Sequence, residues 1–107
     1  MLDSNRRCPD QAKLRQLPGE YLIMTCRESH QANVIQLLAN DSDRIDLESA
    51  MRELAVRGMN EVLVEAGATL SGALIQAGLV DELIVYFAPK LLGDAARSML
   101  ELSLIHI

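Results

Sequence analysis

Val64–Leu83, VEAGATLSGALIQAGLVDEL, decides how this chain reads. An apolar run ends at Glu65, a turn of small residues follows, and a helical pattern starts near Thr69. Leu70, Ala73, Leu74 and Ala77 then recur at i, i+3, i+4 and i+7, the spacing of one helix face. Gly78 stops the pattern, and Glu82–Ala88, ELIVYFA, reads as a second strand closed by Pro89. Upstream, Asp46 reads as the N-cap of another helix, with Leu47, Ala50, Met51, Leu54 and Ala55 on one face and Gly58 as its stop. Asn60–Glu65, NEVLVE, is the strand that leads into the turn.

This half of the chain therefore alternates helix, strand, helix, strand. Crossovers of that length favour parallel neighbours in a sheet flanked by helices. Nearly continuous apolar strands suit burial on both faces. The N-terminal half is less regular. Leu2 leads into Asp3-Ser4-Asn5, the expected end of a strand. A polar loop then runs through Pro9 to the Pro18-Gly19 turn. Tyr21–Cys26 is a short buried strand, and Val34–Ala39 is a weaker strand candidate that also suits a helix.

The chain has 107 residues, which is one small domain, and half of them are hydrophobic. Aromatics are limited to Tyr21, Tyr86 and Phe87, so the core must be aliphatic. A net charge of −5 argues against a nucleic-acid footprint, and Arg6-Arg7 is the single adjacent basic pair. No apolar run has transmembrane length, and the first residues show no signal-peptide segment. Cys8 and Cys26 belong to no C-x-x-C pattern. Composition favours two reduced thiols, and so a cytoplasmic setting, although a disulfide stays open. His30 and His106 have no ligand spacing, so no metal is expected.

Ligands of open α/β sheets sit beyond the carboxyl ends of the parallel strands. Glu65, Ala66, Gly67, Ala68 and Thr69 fall on that edge, where a helix N-terminus offers free N–H groups to an anion. Gly67 admits a ligand close to the backbone, and Gly72 admits a ligand or a strand. The plainer alternative is a tight turn at Gly67, an N-cap at Thr69 and a packing residue at Gly72. G-x-T-x-x-G is not the dinucleotide fingerprint. Glu65 is either a partner for ligand hydroxyls or a surface residue. Asp81-Glu82 lies at the opposite sheet end, and Lys90 reads as a loop lysine. Walker, G-x-S-x-G and zinc-deaminase motifs are absent.

NEVLVEAGATLSGALIQAGLVDELIVYFAPKLLG resembles the reductase domain of the bifunctional deaminase/reductase of riboflavin biosynthesis, from about Gly58 to Arg97. LDSNRRCP resembles that family's strand ending in D-S before a basic residue and proline. The middle, Asp10 to Arg57, is compatible but carries little signature. The resemblance implies a fold similar to dihydrofolate reductase: an α/β domain with a mixed, mostly parallel sheet flanked by helices, incomplete at both ends. It implies NADPH as cofactor and reduction of 5-amino-6-(5-phosphoribosylamino)uracil to the ribitylamino product. Glu65 would contact the substrate. Ser4 and the run Gly67, Ala68, Thr69, Leu70, Ser71, Gly72 and Ala73 would bind NADPH. Position 68, often proline in the family, is Ala68 here, a change of rigidity more than of chemistry. No general acid is assigned.

The resemblance further implies a small-molecule substrate and a homodimer in the full-length parent, and charge and hydropathy give no expectation of a nucleic-acid or membrane partner. Residues 1–102 are expected to be a partial reductase domain without full activity alone. Residues 103–107 resemble a translated sequencing adapter and are expected to be non-native. Two alternatives remain open: a pterin-type reductase of the same fold, and a non-catalytic nucleotide-binding or oligomerisation module.

Overall fold

The computed structural model describes residues 1–102; the expected non-native tail, 103–107, lies outside the described residues. The chain divides into two compact units, Met1–Asn60 and Glu61–Ile107.

In the first unit, β1 (Ile23–Thr25) pairs in parallel with β2 (Val34–Gln36), Met24 opposite Ile35. Leu2 adds a parallel bridge to Met24 on the other side of β1. That bridge is held by Asp3 N–H donating to Met24 C=O (2.8 Å) and Met24 N–H donating to Met1 C=O (2.9 Å). The N-terminal segment thus ends a strand-like path at Asp3, as its sequence indicates. β1 is buried throughout, which suits its apolar run between two neighbours. Met24, Ile45 and Ala50 form the core, with Leu2, Leu22, Cys26, Ile35, Leu37 and Leu54 packed around them. A short helix, α1 (Lys13–Gln16), interrupts the expected polar loop.

Helix α2 (Leu47–Val56) starts where Asp46 caps it: Ser49 N–H donates to Asp46 Oδ2 at 3.0 Å. It ends in a Schellman motif at Gly58, with φ +85°; Gly58 N–H donates to Ala55 C=O and Met59 N–H to Leu54 C=O.

In the second unit, α3 (Ala68–Gln76) buries Gly72 and Leu74. It closes in the same way, with Gly78 at φ +69° and Leu79 N–H donating to Leu74 C=O. Two expectations need correction here. Asn60–Glu65 and Glu82–Ala88 belong to no strand among the described residues. Leu63 is 77% exposed, Tyr86 93% and Phe87 91%. Both segments have the apolar composition of strands, but a strand exists only where a neighbour supplies the hydrogen-bond ladder. The sheet seen is the parallel pair β1–β2 with its Leu2 bridge, smaller than the helix-flanked sheet expected.

Candidate functional site

The sequence-derived site residues fall in both units. Ser4 lies in the first, at the carboxyl end of the Leu2 segment. Because Leu2, β1 and β2 run parallel, the loops Ser4–Cys8 and Cys26–Glu28 leave the same sheet edge. Ser4 is tied into that edge. Its Oγ accepts Ile45 N–H (3.1 Å), and its carbonyl accepts Cys26 N–H (3.1 Å) and the buried Thr25 hydroxyl (3.2 Å). Burial first, and then the Asp43 carboxylate, pushes the Cys26 thiol up, which disfavours a reactive thiolate. Cys8 and Cys26 are free thiols.

Asp3 organises the loop, a role its sequence position alone does not announce. Its two carboxylate oxygens accept Arg7 N–H (2.9 Å) and Cys8 N–H (2.8 Å), and its carbonyl accepts Arg6 N–H (3.0 Å). Arg6 is held at φ +54°, the left-handed region that costs a side-chain-bearing residue about 1–2 kcal/mol. Arg6 Nη1 donates to Glu28 C=O (3.4 Å), and Arg27 Nη2 donates to Asn5 Oδ1 (3.1 Å). The two loops are therefore laced together.

In the second unit, Gly67, not Thr69, is the N-cap of α3. Its φ of −74° is open to any residue, and a Cβ built on it meets nothing within 4 Å. Neither backbone conformation nor crowding by this chain requires glycine there. Gly67 makes no side-chain cap, and among the described residues the N–H groups of Ala68, Thr69 and Leu70 have no hydrogen-bond acceptor. Three donors at the positive end of a nine-residue helix thus stand beside a residue without a side chain. Glu65 is exposed two residues earlier.

The remaining helix residues divide. Ser71 Oγ donates back to Ala66 C=O (3.4 Å), bracing the turn. Thr69 Oγ1 donates to Glu101 Oε2 (2.7 Å), and Glu101 N–H donates to Ala68 C=O (3.1 Å). The close approach at Gly72 is made by the chain itself: a Cβ there would lie 2.0 Å from the Glu101 carbonyl oxygen. Ala73 is half-buried behind it. The Thr69–Glu101 bond bridges 32 residues and leaves no local signature in the sequence.

A family model described as the RibD C-terminal domain matches residues 1–106. Riboflavin biosynthesis protein RibD of Escherichia coli K12 is 41% identical over 103 residues, which cover 92% of this chain and 28% of that protein. The RibD of Haemophilus influenzae reaches 62% over 56 residues, covering 52% of this chain and 15% of that protein. The 5-amino-6-(5-phosphoribosylamino)uracil reductase of Buchnera aphidicola from Acyrthosiphon pisum is 31% identical over 103 residues, covering 92% of this chain and 50% of that protein. The chain spans half or less of the length of these relatives. With the family match running nearly its whole length, this chain belongs to the RibD C-terminal, reductase-domain family of riboflavin biosynthesis.

Proposed function

We propose that the chain contributes the cofactor-binding turn of an NADPH-dependent reductase acting on 5-amino-6-(5-phosphoribosylamino)uracil. The observation that supports this best is Gly67. A glycine that its own fold does not require, set beside three open helix N–H donors, fits the close approach of a pyrophosphate. When bound, the nicotinamide cofactor supplies a hydride. The chain's own part is to bind and orient. Ala68, Thr69 and Leu70 would present backbone N–H groups to the pyrophosphate. Ser71 holds the turn closed through Ala66. Gly72, expected at the cofactor together with Ala73, keeps the helix slim where Glu101 crosses it. Ser4, whose Oγ accepts Ile45 N–H, would donate its hydroxyl proton to a ligand at its own sheet edge. Glu65, exposed beside the turn, would accept hydrogen bonds from ribose hydroxyls and so orient the substrate. Hydride transfer depends above all on such positioning.

An NADPH titration followed by nicotinamide fluorescence tests the reading. Saturable binding that is lost in Gly67→Val is the expected result. Binding indifferent to that substitution would move the cofactor away from this turn. Glu65→Gln is expected to lower turnover of the assembled reductase while leaving NADPH affinity unchanged. Two relatives named as reductases of phosphorylated pyrimidine intermediates favour this substrate over a pterin.

A further inference from the structure

The first turn of α3 already holds an anion of the chain's own. Glu101 is exposed and lies 32 residues further along the chain, yet its Oε2 accepts the Thr69 hydroxyl at 2.7 Å. Among the described residues, no Lys, Arg or His pairs with that carboxylate. The crossing of α3 does not need it. Glu101 N–H donates to Ala68 C=O (3.1 Å), and Gly72 leaves room for the Glu101 carbonyl. Both contacts are made by the main chain at position 101. The carboxylate is an addition to them, and it is aimed at the helix terminus.

What it meets there is the donor set of the turn. Residues 64–79 include no Lys or Arg, so this stretch offers an anion only N–H and hydroxyl donors. The N–H groups of Ala68, Thr69 and Leu70 are open. Of the two hydroxyls, Ser71 donates to Ala66 C=O (3.4 Å) and Thr69 donates to Glu101. A hydroxyl has one proton, so Thr69 cannot serve Glu101 and a phosphate oxygen at once. Thr69 also supplies one of the three open N–H groups, which puts the carboxylate within one residue of the donors. Negative charge is favoured at a helix N-terminus, but two anions at one terminus repel each other.

We infer that the Glu101 carboxylate is an intramolecular competitor of the cofactor's pyrophosphate, occupying the Thr69 hydroxyl and the positive end of α3 until the anion displaces it. This rests on the cofactor reading of the Gly67 turn and goes beyond it: the turn is filled by its own chain, and NADPH affinity is set below what its donors allow. A weaker hold on the cofactor also quickens release after the reaction, the step that limits many enzymes. Calorimetric titration of NADPH into the chain and into Glu101→Gln and Glu101→Ala tests it. Glutamine keeps the size and an oxygen for Thr69 but removes the charge, whereas alanine also frees the hydroxyl. Glu101→Gln should tighten NADPH binding by about 2- to 5-fold, the weight of one charge at a helix end, and Glu101→Ala by more. Added salt should narrow the gap between parent and Glu101→Gln, and Thr69→Val should cancel the extra gain of Glu101→Ala. Thermal unfolding of the same variants separates a competitor from a mere helix brace. A brace loses Tm in Glu101→Gln with NADPH affinity unchanged or weakened, and that result overturns the proposal. NADPH binding that is abolished by Gly67→Val but indifferent to Glu101→Gln leaves the cofactor reading standing and removes the competitor. Binding indifferent to Gly67→Val, or absent from the parent and both Glu101 variants, overturns both.

Discussion

Replacing Gly72 by alanine sets two effects of opposite sign against each other. Alanine in a helix interior is favoured over glycine by about 1 kcal/mol, and Gly72 sits in the middle of α3. At an open position that gain would be seen in full. At Gly72, however, the new Cβ would lie 2.0 Å from the Glu101 carbonyl oxygen, 2.8 Å from its carbonyl carbon and 3.1 Å from its nitrogen. All three are main-chain atoms, so no side-chain rotation relieves the overlap. Either the crossing segment strains in place, at about 1–3 kcal/mol for overpacking, or it retreats. Retreat gives up the Glu101 N–H bond to Ala68 C=O, worth about 0.5–1.5 kcal/mol net, and the Thr69–Glu101 contact with it. After subtracting the helix gain, Gly72→Ala is expected to lose about 0–2 kcal/mol. For a chain of this size each kilocalorie lost is about 4–8 °C in Tm. Thermal unfolding followed by circular dichroism measures it. A double-mutant cycle with Thr69→Val sharpens it, because a retreated segment no longer feels the loss of the Thr69 hydroxyl. A Gly72→Ala chain stabilised by about 1 kcal/mol, as at an unhindered helix site, would refute the crossing of α3 by Glu101.

Three other outcomes follow from the same structure. Gly67→Ala should leave Tm within a few degrees of the parent, since alanine's entropic gain and the loss of a good N-cap residue are each below about 1 kcal/mol, while NADPH affinity falls; a large loss of Tm would mean the turn needs glycine for itself. Gly58→Ala and Gly78→Ala should each cost about 1–2 kcal/mol in urea unfolding, because φ values of +85° and +69° are left-handed; a neutral result at either would remove its Schellman cap. The Ser49 hydroxyl (2.6 Å), and next the Ser49 N–H, hold the Asp46 carboxyl below its ordinary value. Its stabilising contribution is therefore present above about pH 4, the unfolded value, and is lost as pH falls through the lower folded value. Asp46→Asn, which still caps, should flatten that part of the acid limb of a stability–pH profile, and an unchanged limb would assign it to other carboxylates.

What could be read from the sequence was what neighbouring residues decide among themselves. The Asp46 cap, the stops at Gly58 and Gly78 and the helical face of Leu70 and Leu74 each depend on partners within five positions, so their residue types announce them. β1 was legible as an apolar run between polar boundaries, although the chain trims it to Ile23–Thr25. The expectation failed where the partner is distant. Nothing in NEVLVE or ELIVYFA states what pairs with it, and both runs lie outside any strand among the described residues. Helix α1 is four residues long, too short to show a period. Ser4 was legible as the end of a strand, but its bond to Ile45 spans 41 residues and its second role as a tether could not be foreseen. At α3 the motif was read correctly as a helix start, while the cap is Gly67 rather than Thr69, which already lies inside the helix and donates its hydroxyl to Glu101.

That difference in what holds each residue bears on how the site works. The N–H donors of Ala68, Thr69 and Leu70 are fixed by the helix that follows them, and the helix is closed at its far end by Gly78 and crossed by Glu101. Their geometry survives whatever the flanking runs do. Glu65 has no such support. It ends an exposed, unpaired segment, and its carboxylate is related to the turn only through Ala66. A phosphate contact made by backbone donors tolerates this, because a helix N-terminus presents several of them at once. Orienting a reacting sugar does not, since a misplacement of about 1 Å can cost a hundredfold in rate. In the proposed site, anion binding at Gly67 would therefore depend on the local sequence alone, and productive use of Glu65 would wait on strand pairing of 60–65.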